Sequence, residues 1–101
     1  MSTRCVVTFQ DDDGSHSVYK HSDGYPDTEH GILALIEKTK AHAWELPRFE
    51  ADEFAASFVV AAKQGAGGVR LTTGPEAHGD LEYTYLVTCV DGKLGVEVNR
   101  V

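Results

Sequence analysis

The run from Leu81 to Val90, followed by Asp91-Gly92-Lys93 and then Leu94 to Arg100, commits this chain to a β-sheet. Two β-rich segments around an Asp-Gly pair are a strong hairpin signal, because the tight turn needs positive φ and these residues supply it. Along the first segment Leu81, Tyr83, Tyr85, Val87 and Cys89 alternate with Glu82, Thr84, Leu86, Thr88 and Val90. Alternate residues of a strand point to opposite faces. The first set is the more apolar, so it is expected to pack against helices.

A second hairpin is expected at the N-terminus. Cys5 to Phe9 is rich in β-branched and aromatic types, Asp11-Asp12-Asp13-Gly14-Ser15 is a polar turn, and His16 to His21 forms the returning strand. The aspartates lack the closing Glu of a twelve-residue calcium loop, so they read as a turn. The period then changes. Ile32, Leu33, Leu35, Ile36, Thr39 and Ala43 recur at helical spacing, predicting a helix that begins at Asp27 or Thr28, after Pro26. Trp44-Glu45-Leu46-Pro47 breaks that pattern, with Trp44 expected as a core anchor at the corner. A second helix is predicted from Ala51 to Gln64, with Phe54, Phe58, Ala61 and Ala62 as its buried stripe. Gly65-Ala66-Gly67-Gly68 runs from a helix into a strand, the reverse of a phosphate loop, and reads as a connector into a short strand at Val69 to Thr72.

The element order is therefore ββααβββ in one domain spanning residues 1–101. It implies an α+β two-layer sandwich, an antiparallel five-stranded sheet with both helices on one face. The other face, with Val6, Leu86 and Val90 among polar residues, is expected to be partly open or to pair in a homodimer.

Composition narrows the function classes. The chain has 9 Lys and Arg against 16 Asp and Glu, a net charge of −7, so it lacks the cationic surface that phosphate backbones require. Direct nucleic-acid binding is disfavoured. No apolar run is long enough to span a bilayer, and Met1-Ser2-Thr3-Arg4 leads into a strand rather than a signal-peptide core. Cys5 and Cys89 fall in predicted strands and read as small apolar thiols, with no CxxC to suggest zinc. Neither a metal nor a cofactor is expected.

Two clusters carry more chemistry than turning the chain needs. Tyr19-Lys20-His21-Ser22-Asp23-Gly24-Tyr25-Pro26 closes the first hairpin, and His78-Gly79-Asp80-Leu81-Glu82-Tyr83 opens the long strand. If the two strands concerned run antiparallel and close together, both clusters share a rim. His21, Asp23, Tyr25, His78, Asp80 and Tyr83 would then form a binding pocket, with imidazole and carboxylate for polar contacts and phenols as a flat wall. The plainer account is turn chemistry: Asp bonding backbone, Gly supplying positive φ, Tyr packing as a lid. No nucleophile–base spacing appears, so no catalytic residue is assigned and the chain is read as a non-enzyme.

The block Tyr19-x-His21-x-Asp23-Gly24-Tyr25-Pro26, after a hairpin with an Asp-Asp-Gly turn, resembles a signature of small proteins common in tailed-phage genomes and prophages. His78-Gly79-Asp80-Leu81-Glu82-Tyr83-x-Tyr85 resembles a second block in some of them. That family has no settled activity, so the resemblance implies context only: a phage or mobile-element accessory protein in the cytoplasm of a bacterial host. In that context an acidic surface of Asp11, Asp12, Asp13, Glu50, Asp52 and Glu53 suggests a counter-defence, anti-CRISPR-like inhibitor. It would occupy a basic surface on a host protein complex. The alternative is a protein that sequesters a nucleotide or other small molecule in the His/Asp/Tyr rim.

Overall fold

Each hairpin is closed by the residues the sequence placed there. In the computed structural model, which describes residues 3–65 and 68–101, strand β1 (Cys5–Asp11) turns into β2 (Gly14–Lys20). The Asp11 carboxylate accepts the amides of Asp13 and Gly14 at 2.9 and 3.1 Å, an Asx turn that fixes the register. At the other hairpin β4 (Tyr83–Val90) returns as β5 (Lys93–Arg100) through Asp91 and Gly92, whose φ values of 54° and 77° are those of a primed turn. Helix α1 (Ile32–Thr39), helix α2 (Ala51–Lys63) and strand β3 (Val69–Thr72) lie between the hairpins in sequence.

The five strands form one sheet in the order β3-β2-β1-β4-β5. This is a compact α+β fold, and its sheet is mixed rather than purely antiparallel, because β1 and β4 pair in parallel. Topology supplies the reason. β3 lies antiparallel to β2 and so runs with β1, and β4 runs the same way on the far side of β1. The chain must therefore cross from one end of the sheet to the other between two strands of like direction. Residues 73–82, with a 3₁₀ turn at Pro75–Ala77, make that crossing.

Both helices cover the opposite face. Cys5, Val7 and Phe9 of β1, Val18 of β2, and Tyr85 and Val87 of β4 form the core with Ile32, Leu35, Ile36, Phe54 and Phe58. Phe9 stands at its centre, with ring centroids 5.7 Å from Phe54 and 5.2 Å from Phe58. The stripe foreseen for the second helix is buried as expected.

Four sequence expectations fail locally. The first helix starts at Ile32, not Asp27 or Thr28, because its leading amides are met by the chain before it: Ile32 donates to the Tyr25 carbonyl and Leu33 to that of Pro26. Gly31 permits this fold-back, since a Cβ there would lie 2.8 Å from both carbonyl oxygens. Leu33, counted in the apolar stripe, lies on the outer side of that short helix and is 37% exposed. Trp44 is no core anchor; it is 41% exposed, with the Arg48 guanidinium 3.5 Å above its ring. Leu81 does not share a face with Tyr83 and Tyr85. It belongs to the crossover and is buried against Val6 and Tyr19 on the sheet's other side. Part of the face expected to be open is thus roofed by the chain itself, while Val90 remains exposed. Of the Gly-rich connector, Ala66 and Gly67 lie outside the described residues.

Candidate functional site

The acidic residues gather at one end of the molecule through a single carboxylate. Besides holding its own turn, Asp11 accepts the Ala51 amide at 2.8 Å, capping α2 from forty positions away in sequence. The amides of Ala51, Asp13 and Gly14 hold its carboxyl below the usual carboxylate range. Asp12 and Asp13 on the hairpin tip thereby stand beside Glu50 and Asp52 at the start of the helix, all four exposed. Glu50 has Arg48 3.4 Å away. Glu53 is turned to structure: its carboxylate accepts the Trp44 amide and the Ser57 hydroxyl. Of the six acidic residues foreseen as a surface, Asp12, Asp13, Glu50 and Asp52 present charge, whereas Asp11 and Glu53 hold the scaffold.

The two chemical clusters do reach one rim. Cys5 lies opposite both Lys20 and Tyr83, so the end of β2 and the start of β4 flank the start of β1. The six rim residues nevertheless divide between the two faces of the sheet. On the crossover side, the His78 ring stacks on Tyr19 at 4.3 Å and its Nε2 is 2.8 Å from the Thr72 hydroxyl. The Tyr19 hydroxyl lies 2.9 Å from Nδ1 of His21, and Arg4 Nε donates to the same atom at 3.4 Å. Arginine only donates, so in this contact Nδ1 is the acceptor. Arg4 also pairs with Asp80 at 3.1 Å. His21, His78 and Asp80 therefore form one network with Arg4, Tyr19 and Thr72.

Asp23, Tyr25 and Tyr83 belong to the helix side. The chain passes over the sheet end at Gly24, which sits so close to β1 that a Cβ would lie 2.7 Å from the Thr3 carbonyl and 2.8 Å from Cys5 Cβ. The Gly24 carbonyl accepts the buried Tyr85 hydroxyl, and burial pushes that phenol's pKa up. Asp23 takes the left-handed conformation at φ 55° and accepts the Tyr25 hydroxyl at 3.0 Å. Tyr83 packs toward Tyr85, centroids 6.3 Å apart. The expected shared pocket does not form, because Gly24 carries the first cluster around the sheet end instead of along it.

Asp23 lines a different cleft, of about 340 Å³, between the start of α1 and the end of α2. Lys20, Lys38, His30 and Gln64 contribute to it. Lys20 was not among the candidates. Its signal was available in the strand alternation, since Val18 points into the core and Lys20 occupies the next position on that face. A second cleft, of about 410 Å³, lies between α1 and the β4–β5 hairpin and is lined by Leu33, Ile36, Leu46, Leu94 and Val96. Among the described residues no group of three or more His, Cys, Asp or Glu could hold a metal ion, and no helix is long and apolar enough to cross a membrane. No family model, no curated protein and no solved structure matches this chain.

Proposed function

We propose that this is a non-enzymatic binding protein that uses its acidic end to occupy a basic, nucleic-acid-binding surface on a host protein complex. One observation carries the reading: the Asp11–Ala51 hydrogen bond joins two acidic segments, distant in sequence, into a single exposed surface. Exposed charge of one sign steers encounter and discriminates partners, more than it adds raw affinity. The net charge of −7 favours such a partner over nucleic acid itself. The two blocks that resemble small tailed-phage proteins supply the setting, a phage or mobile-element accessory protein in a bacterial cytoplasm with a counter-defence role.

The hypothesis is tested with Asp12→Asn, Asp13→Asn and Asp52→Asn combined, which removes charge without touching Asp11. Wild-type protein immobilised in a bacterial lysate at low salt should retain a nucleic-acid-binding protein that the triple variant loses. The variant should unfold at nearly the wild-type temperature. Equal retention by both proteins would reject the acidic end as the binding surface.

A further inference from the structure

The 340 Å³ cleft has a buried cation in its wall. Lys20 is 4% exposed and contributes its side chain on the core side of β2, level with Cys5 and Val69. Its ammonium donates to the Ser22 carbonyl at 2.7 Å, and no carboxylate among the described residues pairs with it. An ammonium has three donors. Taking one out of water costs several kcal/mol unless an anion or further acceptors compensate, so an apolar side chain here would be the more stable choice for the fold alone. Lys38 from α1 stands on the same cleft, as does His30 from the preceding loop, whose Nε2 lies 3.5 Å from the Glu29 carboxylate that also lines it. Asp23 also lines it, but its carboxylate already accepts the Tyr25 hydroxyl.

We infer that this cleft binds a small molecule through an oxyanion, a phosphate or a carboxylate, seated on the buried Lys20 ammonium with Lys38 at the mouth. The volume lies at the lower end of the range for small-molecule sites, so the ligand is no larger than a nucleoside monophosphate. An oxyanion would accept the unused ammonium donors and supply the missing countercharge, a short and strong class of hydrogen bond. The inference does not depend on the acidic surface, which lies at the other end of the sheet.

The test is titration of the ¹⁵N-labelled chain with inorganic phosphate, with AMP and with succinate, each at constant ionic strength. At least one should produce saturable shifts in the amides of Gly31, Leu35, Ala62 and Gln64. Response to phosphate and AMP identifies a phosphate ligand, and response to succinate a carboxylate. Lys20→Met should weaken that binding about ten- to hundredfold, the effect of losing a charged hydrogen bond. Lys93→Met, away from the cleft, should bind as wild type. Should Lys20→Met fail to fold, Lys38→Ala on the exposed helix face must weaken binding instead. No saturable shift with any of the three, shifts confined to other surfaces, or unchanged binding by the lysine variants would overturn the assignment.

Discussion

Asp11 shows how one residue can be misjudged by its neighbours in sequence. It sits in a run of three aspartates that looks like a solvated tip, yet it accepts three backbone amides while the other two remain outside. Because those bonds lower its folded pKa, it contributes stability at any pH above the ordinary carboxylate value, and that contribution fades as pH falls through the depressed one. Asp11→Ala should therefore melt at a lower temperature than wild type at neutral pH, with the two curves converging in acid. A constant gap down to the lowest accessible pH would contradict the assignment. Cysteine chemistry is also decided residue by residue. Cys5 is wholly buried, and burial pushes its thiol up to about 12, whereas Cys89 is half-buried at the far end of β4. A thiol-specific reagent at pH 8 should label Cys89 in the native protein and reach Cys5 only with unfolding. Equal labelling rates would contradict that difference.

Among the elements, those fixed by local rules were legible in the sequence and those fixed by tertiary contact were not. The Asp91-Gly92 turn, both hairpins and the Phe54–Phe58 stripe follow from turn chemistry and periodicity, and each stands where these rules put it. The start of α1 does not, because carbonyls of Tyr25 and Pro26, rather than an Asp or Thr side chain, satisfy its first amides. Such a cap depends on how the preceding loop folds back, which no residue pattern announces. Gly31→Ala tests it: the added Cβ meets two carbonyl oxygens at 2.8 Å, and the expected loss is about 1–3 kcal/mol by urea unfolding. Stability within a few tenths of wild type would mean that the loop is free to move away. The crossover at residues 73–82 was illegible for a similar reason. Its direction depends on where β3 pairs, and pairing is a property of the whole sheet.

At the scale of the molecule, the sheet has two ends with different chemistry. One carries Asp12, Asp13, Glu50 and Asp52 around the Asp11 cap; the other carries the Arg4–His21–Asp80 network and the Lys20 cleft. Juxtaposition of the two sequence clusters at one rim was conditional on strand directions that only the sheet pairing supplies, and their partition between faces depends on the close approach of Gly24 to Thr3 and Cys5. The proposed function rests on the acidic end, where four of the chain's 16 Asp and Glu stand exposed. Its role is tested most directly by the salt dependence of affinity for the captured host protein, measured for wild type and the Asp12, Asp13 and Asp52 triple variant. Exposed charges lose their mutual attraction as the screening length shortens to about 3 Å at 1 M salt. The expected result is a steep fall in wild-type affinity between low and high salt, a much shallower one for the variant, and displacement of the partner's nucleic acid by wild type alone. Equal affinities with the same shallow salt dependence would contradict it.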